Sequence, residues 1–299
     1  MIDDMLTVFT PTYNRAYCLG RCYESLKRQT CKNFKWLIID DGSTDGTDTL
    51  VRQWIEQEQS FEIRYIYKEN GGLYTAYNAA IAKIDTVLAV CIDSDDWMPD
   101  NAVEIILREW EQRGNEKVAG LAGLDCLADG TILGDPFPAQ ETINLIPLAT
   151  GRYKIKNGDR KLVLRTEVYR SVAPMKEYPG EKNFNPHYMH LQISQKYDFL
   201  VVNQPLCVVE YQPDGMTNSI FKQYLNSPNG FRDYRILELS FPHTALSYRI
   251  KKNIHYVSSC ILSGKPCIAA SPCKLLTLLL YPLGCCFSLY VRYRGKIKG

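Results

Sequence analysis

The sequence carries no nucleotide-binding fingerprint of the common kinds. No Gly-x-Gly-x-x-Gly follows its first apolar run, which argues against a Rossmann dinucleotide site. No Gly-x-x-x-x-Gly-Lys-Ser/Thr occurs, which excludes a P-loop NTPase. Its 11 cysteines form no Cys-x-x-Cys set and have no histidines at zinc spacing, so free thiols in a reducing compartment are expected. The acidic start, Met1 to Met5, lacks the basic residues and apolar stretch of a signal peptide, and a cytoplasmic location is expected. Charge of one sign is missing too. With 35 Lys and Arg against 33 Asp and Glu, the formal net charge is +2, and no global basic field points to nucleic acid.

What is present is globular. Apolar residues make up 45% and charged residues 23% of 299, which excludes disorder, collagen and coiled coil and allows one large or two modest domains. The 20 tyrosines outnumber the 10 phenylalanines and offer flat apolar faces with polar tips. The first half alternates short apolar runs with helical patterns. Strands are expected at 6–10, 34–39, 63–67, 86–92 and 118–121, with helices near 17–29, from Asp45 through Trp54, over 73–84, and from Pro99 to Trp110. That alternation implies an α/β fold with a mostly parallel sheet covered on both faces. From 124 to 158 the pattern is irregular. A strand at 160–165, a short helix at 166–171, a helix opening at Asn185-Pro186 and reaching Tyr197, and a strand region at 200–211 follow. Beyond Asp214 the chain turns helical and basic.

Polar clusters close each early strand: Pro11-Thr12-Tyr13-Asn14-Arg15, Asp40-Asp41-Gly42-Ser43-Thr44-Asp45, Lys68-Glu69-Asn70-Gly71-Gly72 and Asp93-Ser94-Asp95-Asp96. Open α/β sheets bind ligands outside the carboxyl ends of their strands, so four such clusters define a candidate site. Three carboxylates within 93–96 repel one another, and a bound hard cation such as Mn²⁺ or Mg²⁺ relieves that conflict. An acidic turn before the next helix is the plainer alternative. The glycine and distal glutamate of a calcium loop are missing. Asp40 and Asp41 fit a turn equally well, while a strand-end carboxylate can also accept the N3–H of uracil.

The order and spacing of these clusters, with Gly46-Thr47, Ala76 and Asn78, resemble family 2 glycosyltransferases of the GT-A fold over roughly 5–125. A looser likeness continues to about 220 through Gly180-Glu181-Lys182 and Val209-Glu210-Tyr211. The resemblance implies a GT-A catalytic domain over 1–220, its nucleotide-sugar half at 1–123 and its acceptor half at 124–220. It implies inverting transfer from a nucleotide sugar, UDP-linked by preference, to a saccharide or lipid-linked acceptor in cell-surface polysaccharide or glycolipid synthesis. Pro11, Tyr13, Asn14, Arg15, Asp40, Asp41, Ser43, Lys68, Asn70, Gly72, Asn78, Asp93 and Asp95 would bind the donor. Within that set, Tyr13 would line the base pocket and Asp41 would hold the uracil. Asp95 and Asp96 would be the metal-side carboxylates. One departure is visible: the family often has Arg before the asparagine at 78, and this chain has Tyr77.

The transition state of sugar transfer is oxocarbenium-like, and an acceptor hydroxyl must lose a proton to a base. His187, behind Asn185-Pro186 at a helix start, and Glu181 are the two candidates. A helix N-terminus disfavours imidazolium and would keep His187 neutral. A sugar-nucleotide pyrophosphorylase shares the α/β plan but needs a glycine-rich N-terminal loop that 11–15 does not supply. A non-catalytic sugar-nucleotide-binding subunit is a further alternative. Residues 221–299 read as a helical C-terminal extension. The apolar run 275–291, interrupted by Pro282 and Gly284 and flanked by Lys265, Lys274, Arg292, Arg294, Lys296 and Lys298, is at the short limit for a span. The expectation is a segment associating peripherally with the inner face of the cell membrane through 275–298. A core helix packed on the domain is the alternative.

Overall fold

The computed structural model describes residues 5–156, 158–210 and 220–297. Tyr211, Asp214 and Lys298, named above, lie outside the described residues. The chain divides into two compact units. The first comprises 1–71, 75–175 and 193–211, and the second 72–74, 176–192 and 212–299.

In the first unit, β1 (Leu6–Thr12), α1 (Ala16–Lys27), β2 (Lys35–Asp40), α2 (Thr47–Gln57) and β3 (Glu62–Tyr67) follow the expected alternation. The element α3 (Leu73–Lys83), whose first residues group with the second unit, leads to β4 (Leu88–Cys91) and α4 (Ala102–Arg113). Then come β5 (Val118–Cys126), β6 (Thr142–Ile143), α5 (Leu145–Ala149), β7 (Arg160–Arg165) and α6 (Thr166–Arg170). The element α7 (His187–Ile193), which groups with the second unit except for Ile193, precedes β8 (Asp198–Val208). The eight strands form one sheet in the order β3-β2-β1-β4-β7-β5-β8-β6. Strands β1 to β4 are parallel; β7 lies antiparallel between β4 and β5, and β8 runs parallel to β5. The carboxyl ends of β1, β2, β3, β4, β5 and β8 therefore share one rim.

Every residue of β1 and β5 is buried, as expected for strands covered on both faces. Tyr23, Trp36 and Trp54 stack under β2, with ring centroids 4.5–6.0 Å apart. Such aromatic contacts add about 0.5–1.5 kcal/mol each beyond burial. Three boundaries differ from expectation. Pro99 lies ahead of α4 and not in its first turn: its carbonyl accepts the Ala102 N–H and a Gln29 amide hydrogen. The last strand begins at Asp198, so α7 stops at Ile193, whose carbonyl takes the Lys196 and Tyr197 N–H groups. The irregular 124–158 stretch contains the end of β5, the short β6 and α5, which Asn144 caps through the Ile146 N–H.

The second unit contains α8 (Ile220–Asn226), α9 (Pro228–Ser240), α10 (Leu246–Ser263) and α11 (Lys274–Ile297). Its core is Leu239, Tyr256, Val257, Cys260 and Cys267. The 176–192 segment, expected in the acceptor half, groups with these helices, held by Tyr178 to Asp233, Glu181 to Asn229 and Asn183 to Ser227.

Candidate active site

The first two clusters are stitched into one surface. The Asn14 backbone adopts positive φ (52°). Its N–H donates to Ser43 Oγ (2.8 Å), and its side-chain oxygen accepts the Thr44 N–H (2.8 Å). Asp45 accepts the Ala16 N–H and then the Thr47 N–H and hydroxyl, so one carboxylate secures the entries of both α1 and α2. Gly42 has φ 89°, and a Cβ there would meet the Asn70 nitrogen at 2.9 Å. Only glycine lets the β2 and β3 loops approach this closely.

The two aspartates ending β2 have different tasks. Asp40 is fully buried and accepts the Ser43 N–H (2.7 Å) and the Tyr65 hydroxyl (2.6 Å), so it builds the turn. Asp41 accepts from Lys68 Nζ (2.5 Å), the Gly71 N–H (3.0 Å) and Asn70 Nδ2 (3.3 Å). Lys68 also donates to Thr75 Oγ1 (2.8 Å) and to the Glu69 carbonyl. Tyr13, 49% exposed, presents the only large aromatic face contributed by the β1 cluster's own motif, with Arg15 stacked on nearby Tyr17. Gly72 belongs to the second unit, and its missing Cβ makes room for the Lys182 carbonyl.

Asn78 spends both ends of its amide on the Met175 backbone: Nδ2 donates to the carbonyl (2.9 Å) and Oδ1 accepts the N–H (2.8 Å). Those bonds make it a brace between α3 and the segment after α6. Tyr77, standing where a cation was expected from the resemblance, is buried edge-on against Phe9.

After β4 the chain alternates outward and inward. Asp93 and Asp95 are half-exposed, whereas Ser94 and Asp96 are buried. The Asp93 carbonyl accepts the Asp96 N–H (3.0 Å), closing the turn. Asp96 faces the end of β8, accepting the Glu210 N–H (3.2 Å) and the Cys207 thiol (3.8 Å). Burial, reinforced by Asp93 and Asp95 and opposed by Lys161, pushes its carboxyl up to about 8. The expectation of paired metal-side carboxylates therefore meets one outward group, Asp95, and one that ties β4 to β8. Among the described residues no cluster of three or more His, Cys, Asp or Glu could hold a metal by itself. A hard cation bound through one or two carboxylates, with diphosphate oxygens and water completing its shell, fits half-exposed Asp93 and Asp95.

Two residues here, Lys161 and Asp125, were not singled out from the sequence. Lys161 on β7 is half-buried beside Cys207, Asp125, Asp96 and Asp93; burial would lower its pKa, but these acidic groups hold it well above the ordinary lysine value. Asp125, on β5, is pushed up to about 6 by burial against the pull of Lys161. Glu210 pairs with Arg21, which lies over the Trp97 ring. The signal for Lys161 and Asp125 is the register of β7 between β4 and β5, which spacing along the chain does not carry.

The two base candidates lie in the second unit. Glu181 is only 7% exposed, and both carboxylate oxygens are used. Oε1 accepts the Asn229 N–H (2.9 Å) and side chain (2.7 Å); Oε2 accepts the Gly230 N–H (2.9 Å). These are orphan donors in the first turn of α9, so Glu181 is that helix's cap. His187 opens α7, its N–H donating to Asn185 Oδ1 (2.9 Å), with the His190 ring 5.7 Å away.

Residues 7–123 match the model for glycosyl transferase family 2, and this part of the chain is a family 2 glycosyltransferase domain. The curated relatives agree with that class. Glycosyltransferase GlyA of Streptococcus pneumoniae serotype 4 is 33% identical over 109 residues, 36% of this chain and 15% of that protein. A chondroitin synthase of Pasteurella multocida is 32% identical over 106 residues, 36% of this chain and 11% of that protein. The chain thus matches only a small part of either. Among solved structures, S. aureus TarS 1–349 in complex with UDP-GlcNAc gives a TM-score of 0.59 at 14% identity, covering 96% of this chain and 89% of that one. The mannosyltransferase PcManGT of Pyrobaculum calidifontis, in complex with GDP-Man and Mn²⁺, gives 0.56 at 16% identity, covering 99% and 84%. The fold is the GT-A fold.

Proposed function

We propose that the chain is an inverting, metal-dependent glycosyltransferase that moves a sugar from a UDP-sugar to a saccharide or lipid-linked acceptor, in polysaccharide or glycolipid synthesis at the inner face of the cell membrane. The observation that carries this reading is the rim itself, where buried Asp41 and half-exposed Asp93 and Asp95 follow β2 and β4, the two strands that flank β1. Pro11, Tyr13, Asn14, Arg15, Ser43 and Asn70 would complete the donor site. Tyr13 offers the stacking face and Asp41 the acceptor for a uracil N3–H. Asp40 and Asn78 would act only by holding the loops. Functionally, 1–123 would bind the nucleotide sugar and 124–220 would supply the acceptor side.

Asp95, with Asp93 beside it, would hold a Mn²⁺ or Mg²⁺ ion. When bound, that ion neutralises charge developing on the leaving diphosphate. His187 would take the proton of the attacking hydroxyl while the new C1–O bond forms and the C1–O bond to diphosphate breaks on the opposite face of the sugar. Glu181, with both oxygens committed to α9, supports the choice of His187. A screen of nucleotide sugars for metal-dependent thermal stabilisation and for hydrolysis tests the reading. Stabilisation by UDP-sugars with turnover supports it; nucleotide binding without any product under all acceptors tried would favour a non-catalytic binding subunit.

A further inference from the structure

The helix α11 (Lys274–Ile297) has two faces of different kinds. Thr277, Gly284, Ser288, Val291 and Gly295 are buried at helical spacing. Thr277 accepts from Asn253 Nδ2 on α10 (3.0 Å) and pairs with Ser271 (2.6 Å). A Cβ on Gly284 would collide with Val257 at 2.3 Å, and one on Gly295 with Leu225 at 2.4 Å. The opposite face presents Leu275, Leu278, Leu279, Leu283, Leu289 and Tyr293, all exposed. Exposed apolar surface of this extent is unusual on a soluble domain and marks an interaction site.

Charge says what covers it. After Glu238 the sequence contains no Asp or Glu, yet it contains nine Lys or Arg. Exposed Lys274, Arg292 and Lys296 flank the apolar stripe, and exposed Lys265 and Lys251 lie on the preceding loop and on α10. A second copy of this basic face would repel the first; an anionic surface would not. The helix is long and apolar enough to cross a membrane by length and composition. Crossing would, however, carry α10 into the hydrocarbon with it, including Arg249, Lys251 and Lys252, charges that the bilayer core penalises. We propose that α11 lies in the plane of an anionic leaflet, its Leu275–Tyr293 stripe buried among the acyl chains and its basic flanks at the headgroups.

The inference stands on the second unit alone, so it can fail while the donor chemistry holds, and the reverse. The test is sedimentation of the full chain with vesicles of phosphatidylglycerol and phosphatidylcholine, or of phosphatidylcholine alone. Binding to the anionic vesicles and at least tenfold weaker binding to the neutral ones are expected. Leu278→Glu and Leu289→Glu should each weaken binding by roughly tenfold or more, and Arg292→Gln and Lys296→Gln by about fivefold each. All four side chains lie on exposed positions, so melting curves and UDP affinity should match the unsubstituted chain, which separates lost docking from lost folding. Alkaline carbonate should strip the bound chain. Retention through carbonate would mean a span, and no vesicle binding with a dimer that Leu278→Glu dissolves would mean a second copy; either overturns the proposal.

Discussion

Replacing Asp41 by alanine separates its bonds to the β3 loop from its proposed contact with uracil. In the folded protein it holds Lys68 at 2.5 Å, with Gly71 and Asn70 as further donors. The Asp41 side chain is 5% exposed and that of Lys68 is 24% exposed. Removing one partner of a fully buried pair costs about 3–5 kcal/mol. Lys68 stays partly solvated and keeps Thr75 and the Glu69 carbonyl, so we predict about 2–4 kcal/mol, scaled down from that figure. The melting temperature should fall on the order of 10 °C. Asp41→Ala with Lys68→Met removes the orphaned ammonium and should recover part of that loss. Uridine binding is a different matter. A lost charge-assisted hydrogen bond to uracil is worth about 1.5–3 kcal/mol, and it stays lost in the double variant. Calorimetric titration of UDP should therefore show affinity about tenfold to a hundredfold lower in both. A double variant that regains UDP affinity along with stability would refute the uracil role and leave Asp41 as a loop brace.

Three further outcomes are expected. Asp95→Ala should abolish the Mn²⁺ dependence of UDP affinity while the fold persists, whereas Asp96→Ala should lower the melting temperature; the opposite pattern in paired titrations and melts would reverse the assignment. His187→Ala should cut turnover by a factor on the order of 10²–10⁴ with UDP affinity retained, while Glu181→Gln, which removes the carboxylate at the start of α9, should cost about 1 kcal/mol of stability and leave turnover of the folded enzyme intact. Turnover that falls with Glu181 and not with His187 would exchange their roles. Burial, followed by Arg235, Lys252 and Lys251, lowers His255 from 6.5 to about 4. A depressed pKa gives stability that is present above 6.5 and lost as pH falls towards 4. Melts at pH 7 and 5 should show this loss, and His255→Gln should flatten it.

Much of the fold was legible because its signals are local. The apolar runs expected as strands at 6–10, 34–39, 63–67 and 86–92 are strands at 6–12, 35–40, 62–67 and 88–91, and each polar cluster lies at the end of one. Pairing partners far along the chain were not legible. Nothing in Arg160–Arg165 announces that β7 will run antiparallel against β4 and β5 and bring Lys161 to the aspartate cluster. Nor does the 176–192 stretch announce its bonds to α8 and α9, because those depend on where residues 223–233 fold.

The same limit explains the aspartates at 93–96. As letters, Asp95 and Asp96 are equivalent carboxylates with a claim on one cation. The turn that the Asp93 carbonyl closes onto the Asp96 N–H sends successive side chains to opposite sides. One side faces solvent at the rim. The other faces β8, where the Glu210 N–H and the Cys207 thiol wait for an acceptor and Lys161 supplies a compensating charge. A buried carboxylate without these groups would be costly. Asp96 therefore fixes the height of the turn, and through the turn the position of Asp95. A cluster that reads as a chelate is a chain of support that leaves Asp93 and Asp95 half-exposed, and under the proposed function a donor diphosphate would have to supply most of the oxygens that a cation at Asp95 would require.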